Sequence, residues 1–148
     1  RHDETLELMA QATKAGDIVA IEHTDREYQD YDYFLLKATK ACYQVESACK
    51  DDYGSEFVPG DWVVEGVYLK RTVRRNHLRF REELIGIAIA HAHSVRCVGV
   101  EMEVIDTRLL TEEENDELPP TEYETILYEL SVSEHDKIVD ATVTHRRL

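Results

Sequence analysis

Gly60-Asp61-Trp62-Val63-Val64-Glu65-Gly66-Val67-Tyr68-Leu69 decides how the rest of the chain is read. It alternates as a strand does, with Trp62, Val64, Gly66 and Tyr68 on one side and Val63, Glu65, Val67 and Leu69 on the other. Gly66 in its middle predicts a bulge or a sharp bend. A Val58-Pro59-Gly60-Asp61 turn precedes it, and Lys70, Arg71, Arg74, Arg75, Arg79 and Arg81 follow it with no acid among them. The strand therefore separates two chemically different halves.

Upstream, Asp3 to Ala15 reads as a helix closed by Gly16, with Asp3 as cap and Leu6, Met9, Ala10 and Thr13 as its apolar stripe. Asp17–Glu22 and Tyr31–Thr39 read as strands, joined by an acidic loop too short for a parallel crossover, so the pair is an antiparallel meander. Tyr43–Glu46 is a short third strand. Downstream, His77–Arg81 is a strand with Leu78 and Phe80 facing inward and His77, Arg79 and Arg81 facing solvent. In Glu83–Ala92, isoleucine at every second position predicts strand. His91–Arg96 forms a turn, and Val98, Val100, Met102 and Val104 give a last strand, acidic on its other face.

The stretch from 106 to 121 contains Glu112-Glu113-Glu114 and Pro119-Pro120 and reads as a linker. The tail, 122 to 148, is expected to be mainly helical. Its first part fits a helix through Tyr123, Ile126, Leu127 and Leu130 or a strand through Ile126, Tyr128, Leu130 and Val132. Ser133 with Asp136 marks the start of a helix running from Glu134 toward Thr144. The units are thus a helix (1–15), a β domain (16–105), the linker (106–121) and the tail (122–148).

The 148 residues suit one domain, and 43% hydrophobic with 32% charged is a globular composition. Seventeen Lys and Arg against 31 Asp and Glu give a formal charge of −14. That charge repels nucleic acid and anionic membranes at long range and favours basic partners. Three scattered cysteines suit a reducing, intracellular compartment, and no apolar run is long enough for a membrane helix. The chain reads as a piece of a larger protein, and its oligomeric state is left open.

No cofactor and no metal site is expected. Cys42, Cys49, His91, His93 and Cys97 lack a diagnostic ligand spacing. No Gly-x-Ser-x-Gly elbow and no phosphate-binding glycine loop occurs, so no catalytic motif supports an enzyme. The aromatics are more informative. Tyr28, Tyr31, Tyr33, Tyr53, Trp62 and Tyr68 lie amid Asp25, Asp30, Asp32, Asp51, Asp52 and Asp61. Aromatic faces beside carboxylates suit a Lys, methyl-Lys or Arg cation, whereas half-buried core aromatics are the ordinary alternative. The basic run has two readings as well: a phosphate-binding stripe, or internal pairing with carboxylates such as Glu101 and Glu103.

The succession Asp-Ile-Val-Ala-Ile, acidic loop, Tyr-x-Tyr-Phe-Leu-Leu-Lys-Ala-Thr, turn and Gly-Asp-Trp-Val-Val-x-Gly-x-Tyr resembles the SH3-like barrels of the Tudor, chromo-barrel and bromo-adjacent-homology kind, over roughly Gly16 to Ile105. The resemblance implies a mainly β fold: a partly open antiparallel barrel, here with an N-terminal helix and a short C-terminal helix. It also implies a chromatin-type, nuclear peptide-binding module with a cage at Tyr31, Tyr33, Trp62 and Tyr68, flanked by Asp32 and Asp61. The expected function is non-catalytic binding of a basic or methylated peptide. Two alternatives stand beside it: a nucleic-acid-associated domain of a chromatin or mobile-element protein using Arg74, Arg75, Arg79 and Arg81, and an assembly domain docking through its tail.

Overall fold

A computed structural model describes residues 2–22, 33–73, 76–83, 86–109 and 125–146. The fold is mainly β, a curled and partly open antiparallel sheet with a helix at each end of the chain. Helix α1 (His2–Ala10) buries Leu6 and Ala10. It stops short of the expected Ala15, because the following residues bond elsewhere: the Thr13 carbonyl accepts from Cys42 N–H and Gly16 N–H donates to the Ala38 carbonyl.

Strands β1 (Ile18–Glu22) and β2 (Tyr33–Ala38) form the expected antiparallel pair, from Ile18↔Lys37 to Glu22↔Tyr33. Short strands β3 (Tyr43–Gln44), β4 (Cys49–Lys50) and β5 (Glu56–Phe57) follow, the last two making a small sheet of their own. The stretch quoted at the outset becomes β6 (Trp62–Val73), the longest strand, which changes partners along its length. Its first part pairs with β3 and with β8 (Ala88–His91), its second with β2 and with β7 (Asn76–Glu82). Gly66 sits at the change, opposite Ala38 on one side and Ala88 on the other. A Cβ there would lie 2.0 Å from the Lys37 carbonyl oxygen, so glycine is required by a close backbone approach.

A 3-10 turn (Ala92–Ser94) then carries the chain from β8 to β9 (Val95–Cys97), which pairs with β1. The sheet thus curls so that consecutive strands reach both β6 and β1. Gly99, with φ +60°, breaks the strand expected from Val98. Strand β10 starts only at Met102 and runs to Arg108, into the segment expected to be linker. Of the two readings of the tail's first part, the strand is the one formed: β11 (Thr125–Leu130) lies between β10 and β7. Helix α2 (Val132–Arg146) follows, and its cap is Ser131 rather than Ser133, the Ser131 hydroxyl accepting Glu134 N–H at 3.1 Å.

Both faces of the central strands are buried, which is why β1 reads as the uninterrupted run Ile-Val-Ala-Ile. Val19, Ile21, Leu36 and Val64 pack inside the curl with Ala10 of α1. Ile18, Ala20, Tyr33, Leu35, Leu69 and Phe80 pack on the other face with Tyr128 and Leu130 of β11 and Ile138 of α2. Addition of β11 beside β7 corrects one expectation: Arg81 is 1% exposed and does not face solvent. Its guanidinium donates to the Glu82 carbonyl and lies 3.7 Å from Glu83. Among the described residues no helix is long and apolar enough to cross a membrane.

Candidate peptide-binding face

Three aromatic rings meet where β2, β6 and the β4–β5 loop converge. Phe34 and Tyr68 have centroids 5.7 Å apart, and Tyr53 approaches Tyr68 edge-on at 5.2 Å. Phe34 and Tyr53 are exposed by 45% and 48%, so the cluster presents ring surface to solvent instead of finishing the core. Tyr68 is the half-buried base, opposite Leu36 across the β2–β6 pair.

Tyr53 is held by its aspartate neighbours. Buried Asp51 accepts N–H from Tyr53 and Ser55 on one oxygen and from Ile89 on the other, at 2.8 to 3.0 Å. Asp52 accepts Ile87 N–H at 2.6 Å. Gly86, at φ +98°, brings the β8 approach against this loop, and a Cβ there would lie 3.2 Å from Asp52 and 3.4 Å from the Tyr53 ring. The loop is thereby latched to β8, and its aromatic side chain has a fixed direction. Burial pushes the Tyr53 phenol up, with Glu83, Asp51 and Asp52 adding to the effect. Burial does the same to Tyr68, with Asp51 and Tyr53 adding. Tyr53 and Tyr68 therefore sit among carboxylates, a combination of ring face and negative charge that suits a cation.

The described members of the expected cage do not converge, since Tyr33 packs in a different core from Trp62 and Tyr68. Tyr31 and Asp32 lie outside the described residues, as do Arg74 and Arg75. Tyr33 is 3% exposed on the opposite face from Tyr68, with its hydroxyl 2.7 Å from His135 Nδ1 and the Arg71 guanidinium 5.2 Å over its ring. Trp62 is half-buried against the inner core. Asp61 accepts Val58 N–H at 3.0 Å and contacts His91 Nε2 at 3.3 Å; the Val58 bond, with His91 also contributing, holds its carboxyl below the usual range. Among the described residues, Tyr68 is the one expected cage member in the exposed cluster. Phe34 was missed because Tyr33 and Phe34 are adjacent and only the sheet's coverage by α2 decides which points outward.

The basic run is also divided. Arg81 is buried, Arg79 is half-buried, and Arg71 stacks over Phe80 at 4.8 Å as well as over Tyr33. His91 and His93 stack at 4.8 Å, but no group of three or more His, Cys, Asp or Glu among the described residues could hold a metal ion. Compared with family models, curated proteins and solved structures, the chain matches none.

Proposed function

We propose that this domain is a non-catalytic interaction module that takes up a basic or methylated peptide on the face formed by Phe34, Tyr53 and Tyr68. The observation that carries the reading is the exposed aromatic trio in a field of carboxylates, fixed in place by the Asp51 and Asp52 bonds. Core aromatics would be covered throughout, whereas Phe34 and Tyr53 keep 45% and 48% of their surface exposed. The curled sheet is compatible with an SH3-like barrel, which supports the same reading. A cation entering between Phe34 and Tyr53 meets ring faces, while the nearby acids compensate its charge; methylation increases the apolar contact and weakens hydration. Each such contact contributes about 0.5–2 kcal/mol, so a short peptide binds in the micromolar to millimolar range on the order-of-magnitude scale of such interactions.

Calorimetric titration with otherwise identical peptides bearing Lys, trimethyl-Lys or Glu at one position tests this. Trimethyl-Lys and Lys peptides are expected to bind, the Glu peptide is not, and Tyr53→Ala should weaken binding about tenfold. Equal heats for all three peptides, or none for any of a broad basic array, would sink the reading. A phosphate-binding role for the arginine strand finds no support from Arg81, whose side chain is buried.

A further inference from the structure

A second concave surface lies at the sheet's end, built from residues that the aromatic face does not use. It is a groove of about 620 Å³ between β10, β11 and the first turn of α2. Leu78, Met102 and Leu130 supply its apolar floor. Leu130 is fully buried, while Leu78 and Met102 are only partly covered. Val132, 63% exposed, stands beside them.

The rim is acidic. Glu103 and Glu129 pair directly across β10–β11 on the face of the sheet opposite to Met102 and Leu130, and like charges so placed destabilise a sheet. Glu101 and Glu134 also line the groove. Arg79 faces Glu129 from β7, and Lys137 lies 3.6 Å from Glu134, so among the described residues these two cations stand against four carboxylates. Among the described residues β10 ends the sheet, paired on one side by β11. The sequence that joins these two strands carries Glu112, Glu113, Glu114, Asp116 and Glu117, the same sign of charge as that rim.

We propose that this groove docks an extended segment of a partner protein in which an apolar side chain is flanked by Lys or Arg. The apolar side chain covers the Leu78, Met102 and Val132 surface that water now touches. Its flanking cations, which point to the other face of the sheet as neighbours in an extended chain along β10 do, sit by Glu103 and Glu129 and relieve the repulsion between them. Sheet-edge recognition of an extended chain is a common mode, and the acidic rim selects which chain. The inference stands apart from the aromatic face and shares no residue with it.

Fluorescence anisotropy of the full chain with labelled Lys-Lys-Leu-Lys-Lys tests it, with Lys-Lys-Ser-Lys-Lys and Glu-Glu-Leu-Glu-Glu as comparisons. The leucine peptide is expected to bind, at least tenfold more tightly than either comparison. Glu103→Lys should weaken leucine-peptide binding about tenfold while leaving the thermal midpoint unchanged or higher, because it replaces a repulsive pair with an attractive one. Tyr53→Ala should leave groove binding intact. Equal binding of the leucine and serine peptides would overturn the proposal. So would unchanged affinity in Glu103→Lys, or loss of binding in Tyr53→Ala, which would assign the peptide to the aromatic face.

Discussion

Tyr33 and Phe34 are neighbours in sequence, yet one is 3% exposed and the other 45%. Alternation along β2 dictates that they point to opposite faces, but the run Tyr-Phe-Leu-Leu is apolar at both parities. What decides between them is α2, whose His135 meets the Tyr33 ring and hydroxyl. Replacing Phe34 with Ala should therefore weaken peptide binding about tenfold with little loss of stability, whereas Tyr33→Ala should cost about 3–5 kcal/mol in a urea unfolding experiment. Phenol ionisation provides a second residue-scale prediction. Burial raises the phenols of Tyr33, Tyr43, Tyr68 and Tyr128 above their ordinary value. Their contribution to stability is complete below the unfolded phenol value of about 10 and is lost as pH rises from there toward the folded values. Chemical denaturation at stepped pH should show stability flat up to about pH 9 and falling beyond pH 10. A rise in stability above pH 10 would contradict the fold's holding these phenols neutral.

At the scale of elements, β6 was legible because its alternation and its central glycine are local signals. Gly66→Ala places a Cβ 2.0 Å from a backbone oxygen of β2, and backbone cannot rotate away as a side chain can. The expected cost is about 3 kcal/mol, read as a lowered denaturation midpoint. The helical ending was legible as well, although its cap lies two residues earlier than the Ser133 pattern indicated. Ser131→Ala should cost about 1 kcal/mol and Ser133→Ala much less, since it is Ser131 that receives the Glu134 N–H. Strand β11 was one of two readings of its stretch, but its place beside β7 and the burial of Arg81 were not legible. Arg81 becomes covered by Leu127, its partner across β7–β11, and no local pattern announces a strand that joins from so far along the chain. The same holds for Tyr53, whose direction depends on Asp51 and Asp52 reaching β8.

The molecule as a whole is organised by β6, which divides a curled inner core from an outer one closed by β11 and α2. The tail is consequently part of the sheet, with Leu130 and Ile138 fully buried in the outer core. Deleting residues 122–148 should abolish cooperative unfolding in circular dichroism, because it uncovers Tyr33, Leu35, Leu69 and Phe80 together. The same organisation leaves the aromatic trio at the inner core's edge, with the rings of Phe34 and Tyr53 partly open to solvent. That pre-formed aromatic face is the central claim, and aromatic carbon–proton NMR of the full chain with a saturating trimethyl-lysine peptide tests it most directly. The ring signals of Phe34, Tyr53 and Tyr68 should move together and saturate at one affinity, while those of Tyr33 and Phe80 stay in place. Shifts confined to other residues, or no ring shifts at saturation, would contradict the account.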